Sequence, residues 1–304
     1  MSTFSINILG CGSARPSLRH TPSCTVVNVR EKLYMIDCGE GAQLGMQRKG
    51  LKFTRLNHIF LTHLHGDHVF GLPGLIGTMG LMGREGHVTI HTFAEGERVL
   101  RGIFDYFCND MPYDIRFNII KPEEAVIYED DIMTVRTIPL RHRVPCVGYV
   151  FEEKPKARHL DRAAAEFHGL PLSMYAAVKS GQPYVKPDGR IISSELLTRP
   201  ATPSYSYAHI GDTAYMPDIA AKIGGVDILY HESTYLKANR ADARKRGHST
   251  AEEAAKVARD AGARQLLLGH YSSRYKDDTL FEEEAREIFP NVQAAYEGLT
   301  LHLD

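Results

Sequence analysis

The stretch Leu56-Asn57-His58-Ile59-Phe60-Leu61-Thr62-His63-Leu64-His65-Gly66-Asp67-His68 sets an apolar run directly ahead of four metal-capable side chains. His58–Leu61 reads as a buried strand, and the residues after it as a tight loop. His63, His65, Asp67 and His68 fall within six residues, and a loop at a strand end can turn all four toward one point. Neutral imidazoles and a carboxylate suit zinc, or less often manganese or iron. Gly66 is expected to allow a backbone conformation that a side chain would hinder. Four such ligands serve two metal ions only if others arrive from elsewhere in the chain.

The flanking sequence supplies the frame for this loop. Short apolar runs at Phe4–Leu9, Thr25–Val29, Leu33–Ile36, Val88–His91, Ile132–Thr137 and Val147–Phe151 read as strands. Ser206–Ile210, Asp227–Tyr230, Gln265–Gly269 and Val292–Ala295 follow. Helical periodicity marks Glu95–Phe107, Thr250–Ala261 and Leu280–Phe289. Strands dominate the first half and alternate with helices in the second. The pattern predicts an α/β (α+β) chain of one domain over residues 1–304, two sheets face to face with helices outside, an αββα sandwich.

Composition excludes several classes. The chain has 304 residues, a formal net charge of -1, 43% hydrophobic and 24% charged residues. Those are ordinary globular values, so any nucleic-acid surface must be a local patch. Cys11, Cys24, Cys38, Cys108 and Cys146 form no CxxC pair and are odd in number, which argues against a zinc ribbon and a secreted disulfide framework. The N-terminus does not read as a signal peptide, and no run of eighteen apolar residues occurs. A cytoplasmic protein without a membrane span is expected.

One segment departs from the rest. Residues 154–190 lose the strand pattern and carry Gly169, Pro171, Gly181, Pro183, Pro187 and Gly189, with short helical pieces near Asp161–Phe167 and Leu172–Val178. Seven Lys and Arg against three Asp and Glu give it +4, which leaves about -5 for the remainder of the -1 chain. Two readings stand side by side: an RNA-gripping arm, or a solvated insertion with incidental lysines.

His63-Leu64-His65-Gly66-Asp67-His68 resembles the HxHxDH signature of the metallo-β-lactamase superfamily. Further ligands in that superfamily come from later strand ends, and matching positions are His142 in Leu140-Arg141-His142, Asp212 in Ile210-Gly211-Asp212-Thr213, and His270 in Leu268-Gly269-His270. The resemblance implies one ion on His63, His65 and His142, a second on Asp67, His68 and His270, and Asp212 between them. Within the superfamily the chain is similar to the ribonuclease Z (tRNase Z) family over nearly its whole length. Leu9-Gly10-Cys11-Gly12-Ser13, Ile36-Asp37-Cys38-Gly39-Glu40-Gly41, His231-Glu232-Ser233-Thr234, Gly247-His248-Ser249-Thr250 and Gly269-His270-Tyr271-Ser272 carry the likeness. It implies a zinc-dependent endoribonuclease, with two Zn2+ per subunit (Mn2+ or Fe2+ possible), that removes the 3′ trailer from precursor tRNA and leaves a 3′-hydroxyl on the tRNA and a 5′-phosphate on the trailer. It also implies that 154–190 is the family's flexible arm, or exosite, and that the protein is a homodimer, with residues 70–82 as an interface helix or a core element. Two departures stand out. The arm shows Gly169-Leu170-Pro171 without adjacent Gly-Pro, and Pro16-Ser17-Leu18-Arg19-His20 replaces a Pro-x-Lys-x-Arg-Asn loop, which bears on tRNA already carrying CCA.

The same likeness makes Asp67 a general base as well as a ligand. His248 is the candidate for protonating or stabilising the departing oxygen, at a helix start where Ser249 or Thr250 is the expected N-cap and an anionic phosphate is favoured. Asp37 has two readings, an orienter of a metal-bound imidazole or a turn carboxylate on a backbone amide. Glu232 is similarly open, and His231 is expected to be structural. His58, His87, His91, His159, His168, His209 and His302 lack supporting spacing. Rival functions are a small-molecule phosphodiesterase, an arylsulfatase-like or thioester hydrolase of the same fold, and a non-catalytic RNA-binding module. The filled ligand set argues against the last.

Overall fold

The computed structural model describes residues 4–303. Two seven-stranded sheets lie face to face. The first has the order Thr300–Leu303, Phe4–Gly10, Cys24–Val29, Lys32–Ile36, Leu56–Phe60, His87–Thr92, Asp114–Ile119. The second runs Val292–Ala294, Gln265–Gly269, Ile228–Glu232, Ser206–Ile210, Val147–Glu153, Met133–Pro139, Ala125–Glu129. The sandwich read from the sequence is present. Helices Ala42–Arg48, Leu72–Leu81 and Ala94–Phe107 cover the first sheet, and Ala251–Ala261 and Thr279–Arg286 cover the second. The inter-sheet core includes Phe4, Ile6, Tyr34, Phe60, Tyr149, Phe151 and Tyr207, all essentially buried. Among the described residues no helix is long and apolar enough to cross a membrane.

Three strands of the two large sheets have no counterpart in the sequence reading: Asp114–Ile119, Ala125–Glu129 and Thr300–Leu303. Each lies at a sheet edge and is only partly buried, so its apolar signal is diluted. In the first sheet Lys32–Ile36, Leu56–Phe60, His87–Thr92 and Asp114–Ile119 are parallel, and in the second Ser206–Ile210, Ile228–Glu232, Gln265–Gly269 and Val292–Ala294 are parallel. The carboxyl ends of those strands gather along one rim of the sandwich, the usual place for a site in parallel sheets.

Residues 154–190 are not free of strands. His159–Leu160 pairs with Thr198–Arg199, and Tyr184–Val185 with Ile191–Ile192. Asp161 caps helix Arg162–His168 by accepting from Ala164 N at 3.2 Å. Ala165, Leu170, Val178, Tyr184 and Leu197 form a separate small core. The pairs are two residues long, too short for period-two alternation to appear in the sequence.

A buried polar chain runs through the inter-sheet space. Asn118 Nδ2 donates to His91 Nδ1 at 2.9 Å, which leaves His91 Nε2–H to donate to His58 Nδ1 at 3.1 Å. Burial is the main cause that lowers His58 to a pKa of about 4 and His91 to about 3. The unfolded histidines titrate near 6.5. Above that value both states are neutral and the fold carries no penalty. As pH falls below it, the unfolded chain takes up protons that the folded pair refuses. The expected loss is roughly 2 kcal/mol per histidine between pH 7 and pH 5. Urea midpoints at the two pH values check this. A shift of equal size in a His58→Leu/His91→Phe variant would assign the loss to other groups.

Candidate metal centre

The loop after Leu56–Phe60 begins at Leu61 and Thr62, which tie the two sheets together. Tyr149 Oη donates to Leu61 O at 2.6 Å, and Val147 N donates to Thr62 O at 3.0 Å. Gly66 opens the short helix Gly66–Val69, and its φ is not positive. A Cβ there would meet the Phe70 ring at 2.2 Å, so Gly66 serves ring clearance and not an unusual backbone conformation. Asp37 and His270 are non-glycine residues with φ of 56° and 62°. Both are held in this sparsely populated region by the packing around the centre.

Seven side chains converge. His65 Nδ1 lies 2.9 Å from His63 Nε2 and 3.2 Å from His142 Nε2. Asp212 Oδ2 is 3.7 Å from both His63 Nε2 and His142 Nε2. The other oxygen, Oδ1, is 3.5 Å from His68 Nε2 and 3.1 Å from His270 Nε2. Asp67 Oδ2 is 3.6 Å from each of those two nitrogens. All the positions named from the sequence as ligands thus come together, and Asp212 turns one oxygen to each group.

Two threonines and two buried carboxylates decide which ring nitrogen faces inward. The Thr62 hydroxyl donates to Asp37 at 2.9 Å, so its oxygen is left to accept from His63 Nδ1–H at 3.1 Å. Asp37 Oδ2 accepts from His68 Nδ1–H at 2.6 Å. On the second sheet the Thr234 hydroxyl donates to Glu232 Oε2 at 2.7 Å and accepts from His270 Nδ1–H at 2.9 Å. His142 Nδ1–H donates to Gly247 O at 2.8 Å. With Nδ1 engaged in this way, each of these four rings turns its Nε2 toward the centre, the orientation metal-binding imidazoles require. Asp37 meets both readings: Oδ2 orients the His68 imidazole, and Oδ1 accepts from the Thr62 backbone N at 2.8 Å. Thr62 and Thr234 were not singled out from the sequence. Their signal was a hydroxyl residue at a strand end, one before His63 and two after Glu232, and it is too common to be specific.

The donor set fits divalent metal. His68 Nε2, His270 Nε2 and Asp212 Oδ1 are buried and lack any hydrogen-bond partner. Orphaned buried polar atoms are costly unless something satisfies them. Charge points the same way. Burial disfavours a proton on His68, yet Asp37, Asp212 and Asp67 outweigh it and push the imidazole up to about 10. Burial also opposes charge on Asp212, but His270, His68, His248 and His63 hold its carboxyl well below the usual range. The pocket stabilises positive charge.

His248 stands beside this centre. Its Nδ1 donates to Glu232 Oε1 at 2.9 Å and lies 3.9 Å from Asp212 Oδ2. Burial lowers its proton affinity, and Glu232 and Asp212 more than reverse that, to about 9. Thr250 is the N-cap of helix Ala251–Ala261 and forms a full capping box with Glu253. Ser249 is instead tied back, with its hydroxyl donating to Thr213 O at 2.8 Å. Just ahead of the loop of Pro16 to His20, Ala14 N donates to Asp67 Oδ2 at 2.7 Å. His20 anchors the loop, with Nε2 at 2.9 Å from Asp278 and Nδ1 at 3.0 Å from Glu297.

Comparison with known proteins assigns the family. The chain is 50% identical over 304 residues to the Ribonuclease Z of Porphyromonas gingivalis strain W83, covering 100% of both chains. It is 48% identical over 302 residues to that of Parabacteroides distasonis, covering 99% of both. The chain belongs to the ribonuclease Z family. Within the ribonuclease Z frame, family models described as Anti-Pycsar protein Apyc1 and as a Beta-lactamase superfamily domain match residues 4–153 and 163–271. Human tRNase Z, short form, superposes with a TM-score of 0.71 at 22% identity and 99% coverage of each chain. A long form RNase Z from yeast gives 0.67 at 17% identity over 99% of this chain and 42% of that one. These two structures establish that the metallo-β-lactamase sandwich is shared with ribonuclease Z proteins.

Proposed function

We propose that this chain is a metal-dependent endoribonuclease that cuts the 3′ trailer from precursor tRNA, leaving a 3′-hydroxyl on the tRNA and a 5′-phosphate on the trailer. The observation that carries the reading is Asp212, whose two oxygens face two separate ligand groups, with His248 alongside at 3.9 Å. His63, His65 and His142 would hold one ion, and Asp67, His68 and His270 the other, with Asp212 shared. Zinc suits this nitrogen-rich set, and manganese or iron are the alternatives. When bound, two such ions supply charge neutralisation for a phosphodiester and activation of water. Asp67, fixed by Ala14 N, orients and accepts the proton of the attacking water. His248, charged through Glu232, gives a proton to the departing ribose oxygen.

The basic insertion is read as the tRNA-gripping arm, because its own small core makes it a preformed module set apart from the centre. A homodimer is the expected state, acting in the cytoplasm. Phe70, Leu81 and Met82 are exposed, and Phe70 borders a cleft lined by Leu64, Val69, Pro73, Val99 and Ile103. Leu72, Leu75, Ile76 and Met79 of helix Leu72–Leu81 are core residues, so the opposite face, with exposed Gly74 and half-buried Gly77 and Thr78, and the ends of the 70–82 run are what a second subunit could meet.

The test is to map the cut on a 3′-extended precursor tRNA before chelation, after chelation, and after zinc or manganese is restored. A single cut beside the discriminator that follows the metal is expected. An intact tRNA, together with metal-dependent hydrolysis of bis-p-nitrophenyl phosphate, would keep the centre and reject the tRNA assignment.

A further inference from the structure

Five cations on two segments that meet at the centre have no side-chain partner among the described residues. Arg141 and Arg143 flank His142 in sequence, and Arg244, Lys245 and Arg246 close helix Arg240–Arg246 just before Gly247 and His248. All five are exposed, and none takes part in a salt bridge or side-chain hydrogen bond among the described residues. The two segments meet at the centre itself. His142 Nδ1–H donates to Gly247 O at 2.8 Å, and the His142 and His248 rings are 5.2 Å apart. Arg143 is near enough to His248 to act on its charge. The other charged members of the helix are already neutralised, Arg240 by Glu252 and Glu253, and Asp242 by Arg274.

In a chain of net charge -1, five unopposed cations on two adjoining segments form a concentrated positive field. Compensation of the helix dipole explains them only in part. Two of the last carbonyls of that helix are already satisfied, with Gly247 N on Arg244 O and His248 N on Ala243 O, and no dipole argument reaches Arg141 and Arg143. Exposed arginines that flank a phosphodiester-cleaving centre are suited to bind phosphate oxygens.

We infer that Arg141, Arg143, Arg244, Lys245 and Arg246 form a phosphate track that grips the RNA backbone next to the scissile bond, separate from the distant arm. The inference rests on the reading of the centre as an RNA-cutting site and adds where the strand runs. Binding to such a track releases counterions, so its mark is salt dependence and not base sequence.

The experiment measures binding of a fluorescent 3′-extended precursor tRNA across a salt series, with cleavage followed in parallel. It compares the wild type with Arg143→Ala/Arg244→Ala/Arg246→Ala and with the charge-keeping Arg143→Lys/Arg244→Lys/Arg246→Lys. The alanine variant is expected to lower the slope of log affinity against log salt by about 2 to 3, near one per phosphate contact. KM should rise with kcat nearly unchanged, and the lysine variant should recover most of the slope. Metal content and melting temperature report whether the alanine variant has folded. An unchanged slope in a folded, metal-loaded alanine variant overturns the track, whatever happens to cleavage. Wild-type tRNA that binds with full salt dependence but is never cut would overturn the cleavage reading and leave the track standing. Failure of the wild type to bind would overturn both.

Discussion

Asp212→Ala should leave the protein with about one metal ion per chain or fewer and reduce RNA cleavage by more than a thousandfold. The expectation comes from simple electrostatics. Two doubly charged ions at the 3.5–4 Å usual for such pairs repel by roughly 16 kcal/mol at an effective dielectric of about 20. Among the described residues Asp212 is the one carboxylate that reaches both ligand groups, with Oδ2 at 3.7 Å from His63 Nε2 and Oδ1 at 3.1 Å from His270 Nε2. Alanine would leave the repulsion unopposed. It would also leave His63 and His142 without the carboxylate that faces them, and His68 and His270 with Asp67 alone. Elemental analysis after dialysis, alongside a circular dichroism spectrum that confirms folding, gives the answer. Two ions retained with activity within tenfold of wild type would show that Asp212 does not bridge the groups.

His248→Ala should separate substrates by their leaving groups. A ribose 3′-oxygen departs poorly without a proton, whereas p-nitrophenolate needs none. General-acid catalysis typically contributes about 10²–10⁴ in rate, or about 2.7–5.4 kcal/mol. The alanine variant should therefore lose that much in kcat on precursor tRNA and less than about tenfold on bis-p-nitrophenyl phosphate. His248 suits the task because Glu232 and Asp212 keep it protonated against its burial, and among the described residues its second ring nitrogen has no protein partner. Equal losses on both substrates, with metal content unchanged, would point to a role in organising the centre and remove His248 as the proton donor.

The extent to which each part was legible follows from the range of the forces involved. The strands beneath the centre were readable because buried strands carry a dense apolar signal, as Ile6, Ile8 and Leu9 do in Phe4–Gly10 and Leu266, Leu267 and Leu268 do in Gln265–Gly269. Edge strands such as Asp114–Ile119 are half solvated and mix polar with apolar residues, so the pattern fades. The same contrast holds at the centre. His63, His65, Asp67 and His68 announced themselves because four ligands share one loop. His142, Asp212 and His270 needed the family likeness, since a single histidine or aspartate after a strand has no spacing to mark it.

By itself the sequence determined the ligand loop, the sandwich of buried strands and the net charge that confines any RNA surface to a patch. All three depend on composition and short-range periodicity, which a linear chain displays. Only the tertiary structure decided how the ligands are tuned. Asp37 lies 25 residues from Thr62 and 31 from His68, yet one hydrogen-bonded group contains all three. Glu232 reaches His270 through Thr234, and His248 directly, across two strand ends and a helix start. The unpaired arginines on either side of His142 and Gly247 became one surface only when those two segments met. Hydrogen bonds and ion pairs of this kind act over about 3–4 Å in space and leave no period in the chain, so folding alone sets which imidazole nitrogen faces the metal centre and where an RNA backbone finds positive charge.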